Sequence, residues 1–300
     1  MLLDMSGERK KLVLIDGNAL VHRAYHALPK LTTKKGELVN AVYGFVSILF
    51  KILDDLKPDY VAATFDLAGP TFRHEEFDGY KATRVKGPQE LYDQLKRVKQ
   101  VLGALNIPIY EKEGFEADDI IGALAHQATQ NKEDIETIIA TGDLDTLQLI
   151  NDKIKVYTLK KGIKDTIIYD RKAVEERFKG LGPEQMADYK GLKGDPSDNI
   201  PGVPGIGEKT AIDLLKEYKT IENLYENLHL IPQKLGDKLS EFKEQAIFSK
   251  YLAIIRIDVP VGLDLQKCVL RDYEENKVKK LFEELEFFSL LNRLPKKDNR

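Results

Sequence analysis

Four times in its first 145 residues the chain runs a short apolar stretch into carboxylates. Leu12-Val13-Leu14-Ile15 stops at Asp16-Gly17, and Tyr60-Val61-Ala62-Ala63-Thr64-Phe65 stops at Asp66. Ile107-Pro108-Ile109-Tyr110 leads through a loop to Glu116, Asp118 and Asp119, and Thr137-Ile138-Ile139-Ala140 runs into Thr141-Gly142-Asp143-Leu144-Asp145. Helical periodicity fills the gaps at Ala41–Leu56, Gln89–Leu105 and Ala117–Gln130. Strands alternating with helices predict an α/β fold with a central, mostly parallel sheet flanked by helices. In such a sheet ligands bind at the C-terminal edge of the strands, where all these acids fall. One acid after a strand is ordinary turn chemistry; four in succession point to a site.

Past residue 153 the pattern changes. Lys155–Leu159 and Thr166–Tyr169 read as a hairpin around Lys160-Lys161-Gly162. Helical segments follow, then a Gly-, Pro- and Asp-rich stretch at 191–207, then a helix over Glu208–Tyr218. The expected division is an α/β core over 1–190 and a helical part with a C-terminal extension over 191–300.

With Asp195 and Asp198 of Gly194-Asp195-Pro196-Ser197-Asp198-Asn199, nine carboxylates are candidates for one site: Asp16, Asp66, Glu116, Asp118, Asp119, Asp143, Asp145, Asp195 and Asp198. So many like charges need a compensating cation. Oxygen-only ligands, with no Cys or His in these motifs, favour Mg²⁺ (or Mn²⁺ as substitute) over zinc. More acids than one ion needs suggest two ions, an arrangement suited to phosphodiester hydrolysis. The overall charge is −3 from 46 Lys+Arg against 49 Asp+Glu, unpromising for a nucleic-acid binder. Removing nine site acids from −3 leaves +6 elsewhere, which suits a phosphate backbone.

Gly202-Val203-Pro204-Gly205-Ile206-Gly207-Glu208-Lys209 nearly spells a P-loop, but Glu208 separates the last glycine from Lys209 and a helix rather than a strand precedes it. The better reading is a helix-hairpin-helix whose backbone amides at Gly202, Gly205 and Gly207 approach a DNA phosphate, with Lys209 alongside. A simple loop packing two helices is the plainer alternative. Between Asp66 and Gln89 lie Arg73 and Tyr80-Lys81-Ala82-Thr83-Arg84. If that stretch is helical, Lys81 and Arg84 share a face able to neutralise a phosphate, with Tyr80 offering a ring to a base. Arg23, in the first helix beside His22 and Tyr25, is a further DNA-contact candidate against a packing role. A single cysteine excludes an internal disulfide, the start carries acids and lacks the apolar region of a signal peptide, and no run is long enough to span a membrane. Cytoplasm is the default location.

Taken together and in order, Asp16-Gly17, Phe65-Asp66, Phe72-Arg73-His74-Glu75, Tyr80-Lys81, Glu116-Ala117-Asp118-Asp119, Thr141–Asp145, Gly194–Asn199 and the Gly202–Lys209 hairpin resemble the 5′-nuclease domain of bacterial DNA polymerase I, in the flap endonuclease family. The resemblance covers nearly the whole chain, and Leu285–Leu294 resembles the junction where a polymerase would continue. It implies an enzyme that removes 5′ flaps and RNA primers in replication and repair, with a helical arch over the site from about residues 70–105. By that resemblance Asp16, Asp66, Glu116, Asp118 and Asp119 hold the catalytic metal, and Asp143, Asp145, Asp195 and Asp198 shape a second position. Asp118 and Asp143 are the acids on which catalysis most depends. Lys81 and Arg84 steady the scissile phosphate during in-line attack by water, and the hairpin grips duplex, with K⁺ often bound there. The implied partners are DNA with 5′ flaps, nicks or 5′ ends, RNA primer–DNA hybrids and a fused or associated polymerase, for a protein expected to be a monomer. The family usually carries Lys where this chain has Leu144. A PIN-type ribonuclease would not need the hairpin, and a non-catalytic DNA-binding module would be expected to show a gap in the acid set, which this sequence does not.

Overall fold

The computed structural model describes residues 9–160, 165–270 and 273–295. Its sheet is built from β1 (Lys10–Asp16), β2 (Tyr60–Thr64), β3 (Ile109–Tyr110), β4 (Ile135–Ala140), β5 (Ile154–Leu159) and β6 (Thr166–Tyr169), in the order β3-β2-β1-β4-β5-β6. All neighbours are parallel except β5 and β6, which form the expected antiparallel hairpin; Lys161 and Gly162 of its turn lie outside the described residues. The acid-bearing runs become β1 to β4, although β3 is only two residues long, so Glu116, Asp118 and Asp119 reach the edge through a loop and a helix start.

Helices α1 (Gly17–Ala27), α2 (Asn40–Leu56), α3 (Phe72–Glu76), α4 (Gln89–Ala104) and α5 (Ala117–Thr129) lie in this half. Then come α6 (Arg171–Arg177), α7 (Met186–Lys193), α8 (Glu208–Tyr218), α9 (Ile221–Glu226), α10 (Gln233–Glu241), α11 (Lys243–Ala253), α12 (Glu275–Glu284) and α13 (Phe288–Leu291). The middles of the central strands are apolar, Leu12–Ile15 in β1 and Val61–Ala63 in β2, because both faces are covered. Leu12, Leu14 and Ala62 enter the core shared with α5, while Val13, Ile15, Val61 and Ala63 enter the one shared with α1, α2 and α4. That two-residue alternation fixes the register, since a slip by one would exchange the faces. Each fully buried Leu or Ile here contributes about 1.5–3 kcal/mol.

Two features bear on the expected division and on the expected arch. The first core runs without a break from β1 and α5 into α7, α8, α9 and α11, and α7 itself straddles residue 190. The C-terminal helices α12 and α13 return to the opposite face, where Phe282 and Phe287 meet Phe50 and Tyr43. Residues 70–105, the expected arch, fall into two parts. Helix α4 lies against the core through Leu91, Val98, Val101 and Leu102, and its Gln94 accepts hydrogen bonds from the first amides of α2. Only α3 and a non-helical stretch up to Pro88 cross the site. Lys81 has φ 54°, outside the helical region, and its N–H donates to the Asp198 carbonyl. A turn, not a helix, therefore sets Lys81 and Arg84 side by side.

Candidate active site

At the C-terminal edge of β1, β2 and β4 a cavity of about 210 Å³ is lined by Asp16, Asp66, Glu116, Asp118, Asp143, Asp145 and Asp198. Lys81, Arg84 and Tyr80 form its roof, and Leu252, Ala253 and Ile255 one wall. The strand-end acids also do local work. Asp16 caps α1 by accepting from the Ala19 amide (2.9 Å), and its other oxygen accepts from the Thr141 hydroxyl (2.6 Å). Asp66 accepts from the Ala117 amide at the start of α5 (2.8 Å). Asp143 accepts from the Asp145 amide (2.9 Å). Turn chemistry and site formation are thus the same contacts: the caps aim these carboxylates into the cavity.

Burial dominates the electrostatics. It pushes Asp16 up to about 7, with Asp66 and Asp143 adding to the rise. Asp118 is driven well above the usual range by burial and by the charges of Asp16 and Asp143. Asp66 is also raised, and Asp145 is pushed to about 6. Such carboxylates lack positive charge and offer only oxygen, a donor set that fits hard divalent cations. Among the described residues, however, no three potential ligands stand ready around one point. Basic side chains take up several oxygens instead. Lys81 Nζ lies 2.6 Å from Glu116 and 3.9 Å from Asp198, Arg84 lies 2.5 Å from Asp198, and Lys190 bridges Asp145 and Asp195. Burial lowers the Lys81 pKa, but Glu116 and Asp198 outweigh it and hold the ammonium charged.

Five of the candidate residues stand apart from the cavity's open face or are engaged inside the fold. Asp119 does not line the cavity; it is fully buried, with both oxygens spanned by the Arg73 guanidinium at 2.7 and 2.8 Å. Arg73, which also lines the cavity, is correspondingly 3% exposed. Tyr80 is likewise buried, its hydroxyl donating to Glu116 (3.0 Å) and Asp198 (3.2 Å), so its ring is not open to a base. Asp195 stands outside the cavity lining; burial raises it, but Lys190 and the Ser197 hydrogen bonds hold it down at about 2. Arg23 lies in the middle of α1 beside Asp143 and His22, its guanidinium donating to the Lys160 carbonyl (2.9 Å).

The hairpin lies between α7 and α8. Gly202 has φ 60°, and a Cβ there would strike the Gly194 backbone at 2.2 Å. Its amide donates to the Ser249 hydroxyl inside the fold (3.0 Å). Gly207 differs: nothing lies within 4 Å of its Cβ position, and with Glu208 and Lys209 it opens α8 at the surface. Leu144, at the family's lysine position, packs against the core. Sequence reasoning missed Asn18, whose side chain accepts from the Asp66 amide, as well as Thr141 and Lys190. Thr141 stood in the Thr-Gly-Asp run, whereas Lys190, five residues before Asp195 across a turn, had no periodic signal.

A family model described as 5′-3′ exonuclease, N-terminal resolvase-like domain, matches residues 11–179, and 5′-3′ exonuclease, C-terminal SAM fold, matches residues 181–276. The chain is 47% identical over 288 residues to DNA polymerase I of Bacillus subtilis, covering 96% of this chain and 32% of that protein. DNA polymerase I of Chloroflexus aurantiacus gives 47% over 291 residues, covering 95% and 31%. The chain thus spans about a third of the length of these relatives. Among solved structures, the bacteriophage T5 D15 flap endonuclease in a pseudo-enzyme-product complex with DNA and metal ions matches with TM-score 0.70 and 21% identity, over 92% of this chain and all of that one. That likeness is one of fold.

Proposed function

The chain belongs to the 5′-3′ exonuclease family, and from that membership we propose that it is a structure-specific 5′ nuclease hydrolysing DNA at 5′ ends and flaps with divalent metal ions. The observation that carries this reading is the gathering of Asp16, Asp66, Glu116, Asp118, Asp143 and Asp145, from separate strand ends, on one cavity roofed by Lys81 and Arg84. Asp16, Asp66, Glu116 and Asp118 would hold the catalytic ion, with Asp143, Asp145 and Asp198 at a second position. When bound, Mg²⁺ or Mn²⁺ supplies a nucleophile active at neutral pH and neutralises phosphate charge.

The chain's own residues do the rest. Lys81 and Arg84 exchange Glu116 and Asp198 for the scissile phosphate and stabilise the charge that develops on it. Ile255, Leu252 and Ala253 exclude water from one side. The open start of α8, with Gly207 and Lys209, receives a duplex phosphate, and K⁺ at the hairpin belongs to the same reading. RNA primer–DNA hybrids and a fused or associated polymerase complete the proposed partners.

The test is cleavage of a labelled 5′-flap duplex with Mg²⁺, with and without chelator, beside single-stranded RNA of the same length. Mg²⁺-dependent cutting near the flap junction is expected. Preferential cutting of the RNA would replace this reading with a ribonuclease.

A further inference from the structure

Arg73 spends all five of its N–H donors inside the protein. Nε donates to the Leu252 carbonyl (2.8 Å); Nη1 donates to Asp119 (2.7 Å) and Glu116 (3.3 Å); Nη2 donates to Asp119 (2.8 Å) and the Ile254 carbonyl (2.7 Å). Asp119 is equally committed. One oxygen also accepts from the Glu116 amide (3.1 Å), the other from the Arg256 amide (2.9 Å). Arg256 in turn lies over the rings of Phe72 and Tyr251, 5.0 Å from each. One ion pair therefore joins the base of the crossing segment at α3, the first turn of α5 and the end of α11.

The first turn of α5 is where Glu116 and Asp118 stand, and Glu116 is the carboxylate that Arg73 also touches. We propose that Arg73 and Asp119 are a positioning pair: they bind no metal and touch no DNA, but fix the orientation in which Glu116 and Asp118 meet the ion. A bidentate guanidinium–carboxylate fork is stiff and planar, so it fixes rotation as well as distance. Groups that orient metal ligands in this way typically change metal affinity by about 10–100-fold when altered. The leads to α11 give the pair a second consequence. The helix that supplies Ser249 to the hairpin is tied by its last carbonyls to the carboxylates of the cavity.

This inference rests on the reading of the cavity as a metal site, and the experiment separates the two. Mn²⁺ binding to the full chain without DNA is followed by the electron paramagnetic resonance of free Mn²⁺, for the wild type, Asp119→Asn and Arg73→Lys. Thermal unfolding in chelator shows that each variant is folded at the working temperature. Asp119→Asn is expected to bind the same number of ions about tenfold or more weakly, and to recover cleavage as Mg²⁺ is raised. Arg73→Lys keeps the charge but loses the fork and should shift the same way by less, which preserves the test if Asp119→Asn fails to fold. Loss of one bound ion with no recovery at high Mg²⁺ would make Asp119 a ligand and overturn the proposal. Wild-type Mn²⁺ affinity in folded variants would reduce the pair to a structural tie and overturn it equally. A wild type that binds no Mn²⁺ would overturn the metal reading first, and this inference with it.

Discussion

The acid cavity and the hairpin, both expected to handle phosphate, are built in opposite ways. In the cavity every cation is already paired, Lys81 with Glu116 and Arg84 with Asp198, and Lys190 joins Asp145 to Asp195 beside it, while Asp16, Asp66, Asp118 and Asp143 make no ion pair among the described residues. At the hairpin the start of α8 carries Gly207 beside open space and an exposed Lys209. A grip needs only available donors and room. A catalytic centre must hold like charges together before substrate arrives, and burial makes that costly without internal counter-ions. On the proposed function, a phosphate reaching Lys81 and Arg84 would displace their carboxylate partners, whereas one at the hairpin would simply add contacts.

The largest break in this comparison should come from Asp118→Asn. It removes a buried carboxylate of the cavity and should lower Mg²⁺-dependent cleavage by about a thousandfold or more, several kcal/mol of transition-state stabilisation. Flap binding, measured by fluorescence anisotropy, should hold or tighten as repulsion falls. Cleavage near the wild-type rate would take Asp118 out of the site.

Lys81→Ala comes next. If its ammonium leaves Glu116 for the phosphate in the transition state, kcat should fall about 100–1,000-fold while the substrate Kd changes little. A variant with weaker binding and intact kcat would make Lys81 a docking charge.

At the hairpin, Gly207→Val with Lys209→Ala should act on binding and leave the chemistry alone. A Cβ at Gly207 meets nothing within 4 Å, and circular dichroism checks that the variant stays folded. Duplex affinity should drop, and the slope of log affinity against log salt should flatten by about one unit for each phosphate that the hairpin no longer neutralises. Cutting of a short single-stranded 5′ end should be spared. An unchanged ratio of duplex-flap to single-strand cleavage would show that the two regions do not divide grip from chemistry.

The smallest effect is assigned to Tyr80→Phe. The ring stays buried, but Glu116 and Asp198 each lose a hydrogen bond, at about 1–3 kcal/mol of stability measured by chemical denaturation. DNA affinity should not move, because the ring does not face DNA. A large loss of affinity would restore Tyr80 as a contact residue.

The sheet and most of the cavity were legible because they are written in local pattern. An apolar run of strand length followed by Asp gives both an element and the edge at which it ends, as at Ile15-Asp16 and Phe65-Asp66. Helices α2, α4, α5 and α8 were similarly plain from their periodicity. What the local pattern left open clusters where polar residues occur in excess. Asp118 and Asp119 are adjacent and chemically alike, yet a helix turns successive side chains about 100° apart, so one enters the cavity while the other meets Arg73. Arg73, Tyr80 and Arg84 all looked like surface residues able to meet DNA, and two of them are buried.

The sequence by itself determined that the acids follow successive strands, their oxygen-only chemistry and the glycine-rich hairpin before α8, because these depend on residue type and near neighbours. Tertiary structure decided which charges would be spent on one another. Lys190 and Asp145, Arg84 and Asp198, and Arg73 and Asp119 lie 45, 114 and 46 residues apart. Whether a carboxylate is left for a metal or consumed by an arginine depends on those distant approaches, which no local pattern encodes.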